Sequence, residues 1–147
     1  HYGKKYFKKL IIFRPHNVYG ANMGNEHVVP EFINRFKFLK GKNFKIQGNG
    51  NEIRSFIYID DFLQAFNLIL KKGKHLNVYN IGTAEKVKIK DLAYKLSKIF
   101  NKKIALKKTL LPKGGTKIRM PNINKIKKLG FKQKYNLENG LRKILNY

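Results

Sequence analysis

Gly48-Asn49-Gly50-Asn51-Glu52-Ile53-Arg54-Ser55-Phe56-Ile57-Tyr58-Ile59-Asp60-Asp61 changes character twice along its length. Gly48 to Asn51 is a turn, built from residues that tolerate left-handed backbone. From Ile53 the pattern has a period of two: Ile53, Ser55, Ile57 and Ile59 on one side, Arg54, Phe56 and Tyr58 on the other. That is a strand. Asp60-Asp61 then opens a helix with an apolar face of Phe62, Ala65, Phe66, Ile69 and Leu70, stopped at Gly73. Strand and helix in direct succession point to an α/β chain.

The flanking sequence continues the alternation. Upstream, Leu10-Ile11-Ile12-Phe13 is wholly apolar and ends at Arg14-Pro15, which reads as a strand buried on both faces. A polar loop over 17–25 leads to a helix over Val28–Lys40, with Pro30 in its first turn and Val29, Ile33 and Phe36 on one face. Phe44-Lys45-Ile46 is a short strand. Downstream come a strand at Val78–Ile81, a helix over Lys90–Phe100, a strand over Lys103–Lys107 and a loop over Pro112–Gly115. A short helix capped by Asn122 and a last one over Asn136–Tyr147 close the chain.

Composition bounds the function. The chain has 147 residues, no Cys and a net charge of +25. Disulfides and Cys-ligated metal are excluded, no apolar run reaches membrane-spanning length, and the start does not read as a signal peptide. A cytoplasmic protein without a membrane partner is expected. His1 stands where a complete product would carry Met, so the start reads as a cut. Lys, Asn and Ile, all written with A/T-rich codons, make up 60 of the 147 residues, while Arg occurs 5 times. The charge therefore reads as codon bias with lysines spread along the chain, not as a built nucleic-acid site.

Few residues suggest chemistry by themselves. Asp60 and Asp61 are adjacent and diverge on a helix, so they read as a cap and a dipole partner. His1, His16, His27 and His75 lack metal-ligand spacing, and no metal site is expected. His16 follows a strand, in the crevice where open α/β sheets bind ligands. Gly48-Asn49-Gly50 precedes a strand rather than a helix, so it is not a dinucleotide loop. Neither Tyr2 nor Tyr6 has a Lys four residues on.

Taken in order, four segments resemble the extended short-chain dehydrogenase/reductases, the nucleotide-sugar epimerases and dehydratases. Arg14-Pro15-His16-Asn17-Val18-Tyr19-Gly20 resembles the family's R-x-x-N-x-Y-G. Gly48 to Asp61 is similar to its G-x-G-x-x-x-R-D-F-x-Y-V-x-D. Tyr79-Asn80-Ile81-Gly82 resembles Y-N-I-G, and Arg119 to Leu141 resembles the tail, with Lys125, Leu129-Gly130 and Glu138 to Leu141.

The resemblance implies an α/β fold: the C-terminal part of a Rossmann-type parallel sheet plus a small α/β substrate-binding domain. Residues 1–20 would end the NAD-binding domain. Residues 21–147 would be mostly the nucleotide-sugar domain, with short returns to the cofactor domain near 53–82. NAD or NADP would be the cofactor, a nucleotide-diphosphate sugar the partner, and a homodimer is possible. Pro15 and His16 would lie beside the nicotinamide. Asn17, Val29, Pro30, Arg54, Lys113 and Arg119 would bind substrate, with Arg54 clamping the diphosphate. The family's Tyr-x-x-x-Lys and Gly-rich loop fall before the position of His1, so no catalytic residue is assigned and the chain alone is expected to be inactive. Its Leu10–Phe13 strand should then lack neighbours. Three departures stand out: Ser55 replaces the usual Asp, Asn122 replaces a common acid, and the loop Leu111–Gly115 has no Arg. The competing reading is a stand-alone basic module for nucleic acid or acidic polysaccharide.

Overall fold

The computed structural model describes residues 2–110 and 115–146. In chain order the elements are α1 (Tyr2–Tyr6), β1 (Ile12–Pro15), β2 (Val18–Tyr19), α2 (Val28–Lys37), β3 (Asn43–Ile46), β4 (Ile53–Arg54), β5 (Ile57–Tyr58) and α3 (Ile59–Lys72). They continue with β6 (Val78–Ile81), β7 (Val87–Lys88), α4 (Ile89–Ile99), β8 (Ala105–Lys108), β9 (Ile118–Arg119), α5 (Asn124–Lys128) and α6 (Leu137–Leu145). Pairing is parallel in β1–β6, β2–β5, β3–β8 and β4–β9, and antiparallel only in β4–β7. The expected α/β class with parallel sheets is what forms.

Two expectations are corrected. The first strand runs Ile12–Pro15 and all four residues are exposed, Ile12 by 48% and Phe13 by 40%. Among the described residues it pairs with β6 alone, so its apolar side chains meet solvent where a buried strand was expected. Pro15 closes the ladder opposite Ile81 without harm, because a missing N–H is tolerated at an edge. The stretch Ile53–Ile59 is not one strand but β4 and β5, separated at Ser55-Phe56. Ser55 Oγ donates to the Thr83 carbonyl and accepts from the Thr83 N–H, and Thr83 Oγ1 donates to the Phe56 carbonyl. These side-chain bonds take the place of ladder bonds, so the chain can leave one sheet and enter another.

The buried residues fall into two groups. One packs α2, α4 and α6 around Phe36, which stacks on Phe44 at 4.5 Å and on Phe100 at 5.6 Å. The other gathers Ile57, Ala65, Ile69, Tyr79 and Ile81 with Ile123, Ile126 and Phe131. Helix ends are tied down by side chains. Lys102 Nζ donates to the carbonyls of Phe36, Lys37 and Leu39 at the end of α2. Asn136 caps α6 through Asn139 N. Asn122 is not the cap expected of it: α5 starts at Asn124 with Ile123 as its N-cap, and Asn122 only accepts from Asn124 N in the turn before the helix.

Asp61 is not a cap. It is 1% exposed and accepts hydrogen bonds from the Lys134 and Tyr135 N–H groups, fastening the segment before α6 to α3. Gly140, inside α6, has no room for a side chain: a methyl there would overlap the Tyr19 hydroxyl and lie 2.9 Å from Tyr19 Cζ.

Candidate functional site

The four motif segments meet at Gly82. A Cβ on Gly82 would lie 2.7 Å from Pro121 Cγ, 3.2 Å from His16 Cβ and 3.2 Å from Ser55 Oγ. Residues remote in sequence are thus brought to the carboxyl ends of β1 and β6, where parallel sheets open towards ligands. Ser55, which stands where the family's pattern has Asp, is fully buried and bonded to Thr83.

Arg54 and Arg119 stand side by side. β4 and β9 run parallel with these two residues in register, which puts their side chains on one face. Neither makes a salt bridge among the described residues. Burial first, and the Arg119 charge next, push Arg54 below the ordinary guanidinium value, while Glu52 pushes it back up. Arg54 Nη1 donates to the Ile53 carbonyl, 2.9 Å away. Two neighbouring unpaired guanidiniums repel until an anion sits between them.

Arg54 also lines a cleft of about 650 Å³. Its walls are Val28, Glu31, Phe32 and Arg35 of α2, Lys45 and Ile46 of β3, and Gln47, Glu52, Ile89 and Thr109, with Asn17 and Glu26 at the loop side. Asn17 has left-handed backbone, φ 42°, which Asn tolerates better than most residues. Its Nδ2 donates to the Ser55 carbonyl at 2.7 Å. That bond uses one of the two amide hydrogens and fixes the side chain, leaving the other to donate. Arg35 lies over the Phe44 ring at 4.2 Å and pairs with Glu31 at 3.0 Å.

His16 is half-buried at the end of β1. Desolvation holds its pKa below the usual 6.5, against a hydrogen bond with the Asn80 side chain, and the Arg119 and Arg14 charges lower it further. Its imidazole is therefore neutral near pH 7. Pro15 beside it is exposed.

The site residues read from sequence are not all in one place. Asn17 and Arg54 share the cleft. Arg119 is exposed beside Arg54 but is not one of the cleft-lining residues. Val29 is 2% exposed, packs in the larger core and lines a pocket of about 30 Å³ with Asn17. Pro30 is buried and lines a separate pocket of about 120 Å³ with Val29. Lys113 lies outside the described residues. Glu52, Arg35, Lys45 and Gln47 were not singled out from sequence. Glu52 was within reach, because the alternation that starts at Ile53 places it on the side of Arg54.

Among the described residues, no His, Cys, Asp and Glu cluster could hold a metal ion, and no helix is long and apolar enough to cross a membrane.

The chain is similar to characterised proteins across its length. A trifunctional UDP-glucose 4,6-dehydratase/UDP-4-keto-6-deoxy-D-glucose 3,5-epimerase/UDP-4-keto-L-rhamnose-reductase of Arabidopsis thaliana is 35% identical over 99% of this chain and 22% of its own length. The dTDP-D-glucose 4,6-dehydratase of Dictyostelium discoideum is 41% identical over 67% of this chain and 22% of its own. The chain thus spans about a fifth of these relatives. The solved UDP-glucuronic acid 4-epimerase of Bacillus cereus, in complex with UDP-glucuronic acid and NAD, superposes with a TM-score of 0.89 at 28% identity over 99% of this chain and 47% of that one. Residues 1–82 match the model of the NAD dependent epimerase/dehydratase family, and on these grounds the chain belongs to that family.

Proposed function

We propose that this chain is the nucleotide-sugar-gripping, C-terminal part of an NAD-dependent nucleotide-sugar epimerase or dehydratase. The observation that carries the reading is the unpaired Arg54–Arg119 pair at the edge of the cleft. A diphosphate diester places two negative charges where two guanidiniums repel each other, and bidentate contacts are the strongest such groups make. Asn17 adds an uncharged donor beside them. The relatives' names, UDP- and dTDP-sugar enzymes, agree with that chemistry.

NAD fits one wall. Pro15 and His16 would hold its nicotinamide end: a neutral imidazole sets no second positive charge against a cationic ring, and the exposed pyrrolidine gives an apolar surface. When bound, NAD supplies the hydride acceptor. The dinucleotide's phosphates need a Gly-rich loop, and this chain contributes none. The chain's own residues bind and orient: the arginines fix the diphosphate, and that fixes where the attached sugar can reach. Such positioning contributes on the order of several kcal/mol to the reaction.

The domain reading follows the two cores. The smaller core, built from Ile57 to Ile81 with Ile123 to Phe131, fits a return to the cofactor domain near 53–82. The larger fits the nucleotide-sugar domain. The solvent-facing Ile12 and Phe13 fit the end of a parallel sheet that continues in further strands. The chain by itself should therefore bind but not turn over.

Calorimetric titration of the full chain with UDP-glucose and dTDP-glucose tests this. At least one should bind, and Arg54→Ala should weaken that binding about a hundredfold, because the partner charge loses its contact. No binding of either sugar nucleotide at millimolar concentration would sink the reading. Turnover with added NAD by this chain alone would sink the inactive half of it.

A further inference from the structure

Acidic side chains are scarce here, 8 in all, yet Glu26, Glu31 and Glu52 line one cleft. Glu31 is committed to Arg35. Glu52 is not: it is 8% exposed, and its Oε2 is buried with no hydrogen-bond partner. Its backbone is held firmly, because the Glu52 carbonyl accepts from Ile89 N and the next residue, Ile53, donates to the Lys117 carbonyl. Arg54 lines the same cleft and feels the Glu52 charge. A buried carboxylate oxygen lacking a donor is costly, and a bound ligand can supply one. The last torsion of Glu is a broad two-fold rotor, so either oxygen can turn to the cleft without a new rotamer.

An incoming group that offers only negative charge would be repelled by this carboxylate. One that offers hydroxyls would satisfy it. We propose that Glu52 makes the cleft selective for a hydroxyl-bearing diphosphate ester over a bare polyphosphate. The carboxylate accepts a hydrogen bond from a ribose or sugar hydroxyl, and beside Arg54 it offsets enough positive charge to turn away anions with nothing but phosphate to offer. This inference rests on the nucleotide-sugar reading above.

The test is to titrate the full chain and its Glu52→Gln variant with UDP-glucose and with inorganic pyrophosphate at one salt concentration. Gln keeps the size and one acceptor and removes the charge. UDP-glucose should bind about tenfold more weakly and pyrophosphate about tenfold more tightly. A structural role alone would move both the same way, and that result, or no change in either, overturns the proposal. Glu52→Asp keeps the charge and withdraws the carboxylate, so it should weaken UDP-glucose and leave pyrophosphate alone. Any other pattern overturns the proposal, and this arm decides if Glu52→Gln does not fold. Unaltered protein that binds no sugar nucleotide at all points instead to failure of the underlying reading.

Discussion

The hydroxyl of Tyr19 occupies the space where a side chain on Gly140 would begin. This contact joins the Tyr-Gly of the first motif to the Gly-Leu of the last helix, and it explains both at once. Gly140→Ala should destabilise the fold by about 1–3 kcal/mol, the usual range for overpacking. Tyr19→Phe in the same chain should recover part of that loss, read as a coupling between denaturant midpoints. At His16 the prediction concerns pH. Its folded value is depressed below 6.5, so the unfolded chain takes up the proton first as pH falls. The stability tied to the neutral imidazole is present above about 6.5 and is lost as pH drops through the folded value. An NMR titration should place His16 below 6.5, and His16→Gln should reduce the loss of stability between pH 7.5 and 5.5. Arg54 stands out in the sequence through the family resemblance, which matches it to a diphosphate-clamping Arg. The alternating run places Glu52 on the same side, but the unpaired oxygen that distinguishes it is a property of packing rather than of residue order.

At the scale of elements, the helices were legible and the short strands less so. α2, α3, α4 and α6 each bury a stripe at helical spacing, which survives in any context. β2, β7 and β9 are two-residue strands, too short for alternation to announce them, and they exist because remote partners supply their bonds. The same competition divides Ile53–Ile59, where side-chain bonds from Ser55 and Thr83 outweigh an unbroken period of two. Asp60 and Asp61 both lie in the first turn of α3 as expected of dipole partners, but Tyr58 holds the cap position, and the partners of Asp61 lie far along the chain. Removing it strands two N–H groups. Asp61→Ala should therefore cost about 2–4 kcal/mol, and amide exchange at Lys134 and Tyr135 should accelerate beyond the global effect.

For the whole molecule, the family was legible from four short segments in the right order, and the exposed β1 was anticipated only through that resemblance. The apolar run by itself reads as buried, because hydrophobic residues show what a strand prefers and not whether its neighbours are present. The parallel pairings carry a further consequence, for the route by which the chain reaches its fold. Ile12 meets Val78, Asn43 meets Ala105 and Ile53 meets Ile118, so each ladder closes a loop of about sixty residues. Helices can form early, but these sheets offer no hairpin from which to grow. Refolding by stopped-flow dilution from urea should accordingly take milliseconds to seconds rather than microseconds. During that interval a chain of charge +25 with open apolar strands is at its most vulnerable to polyanions and to its own kind.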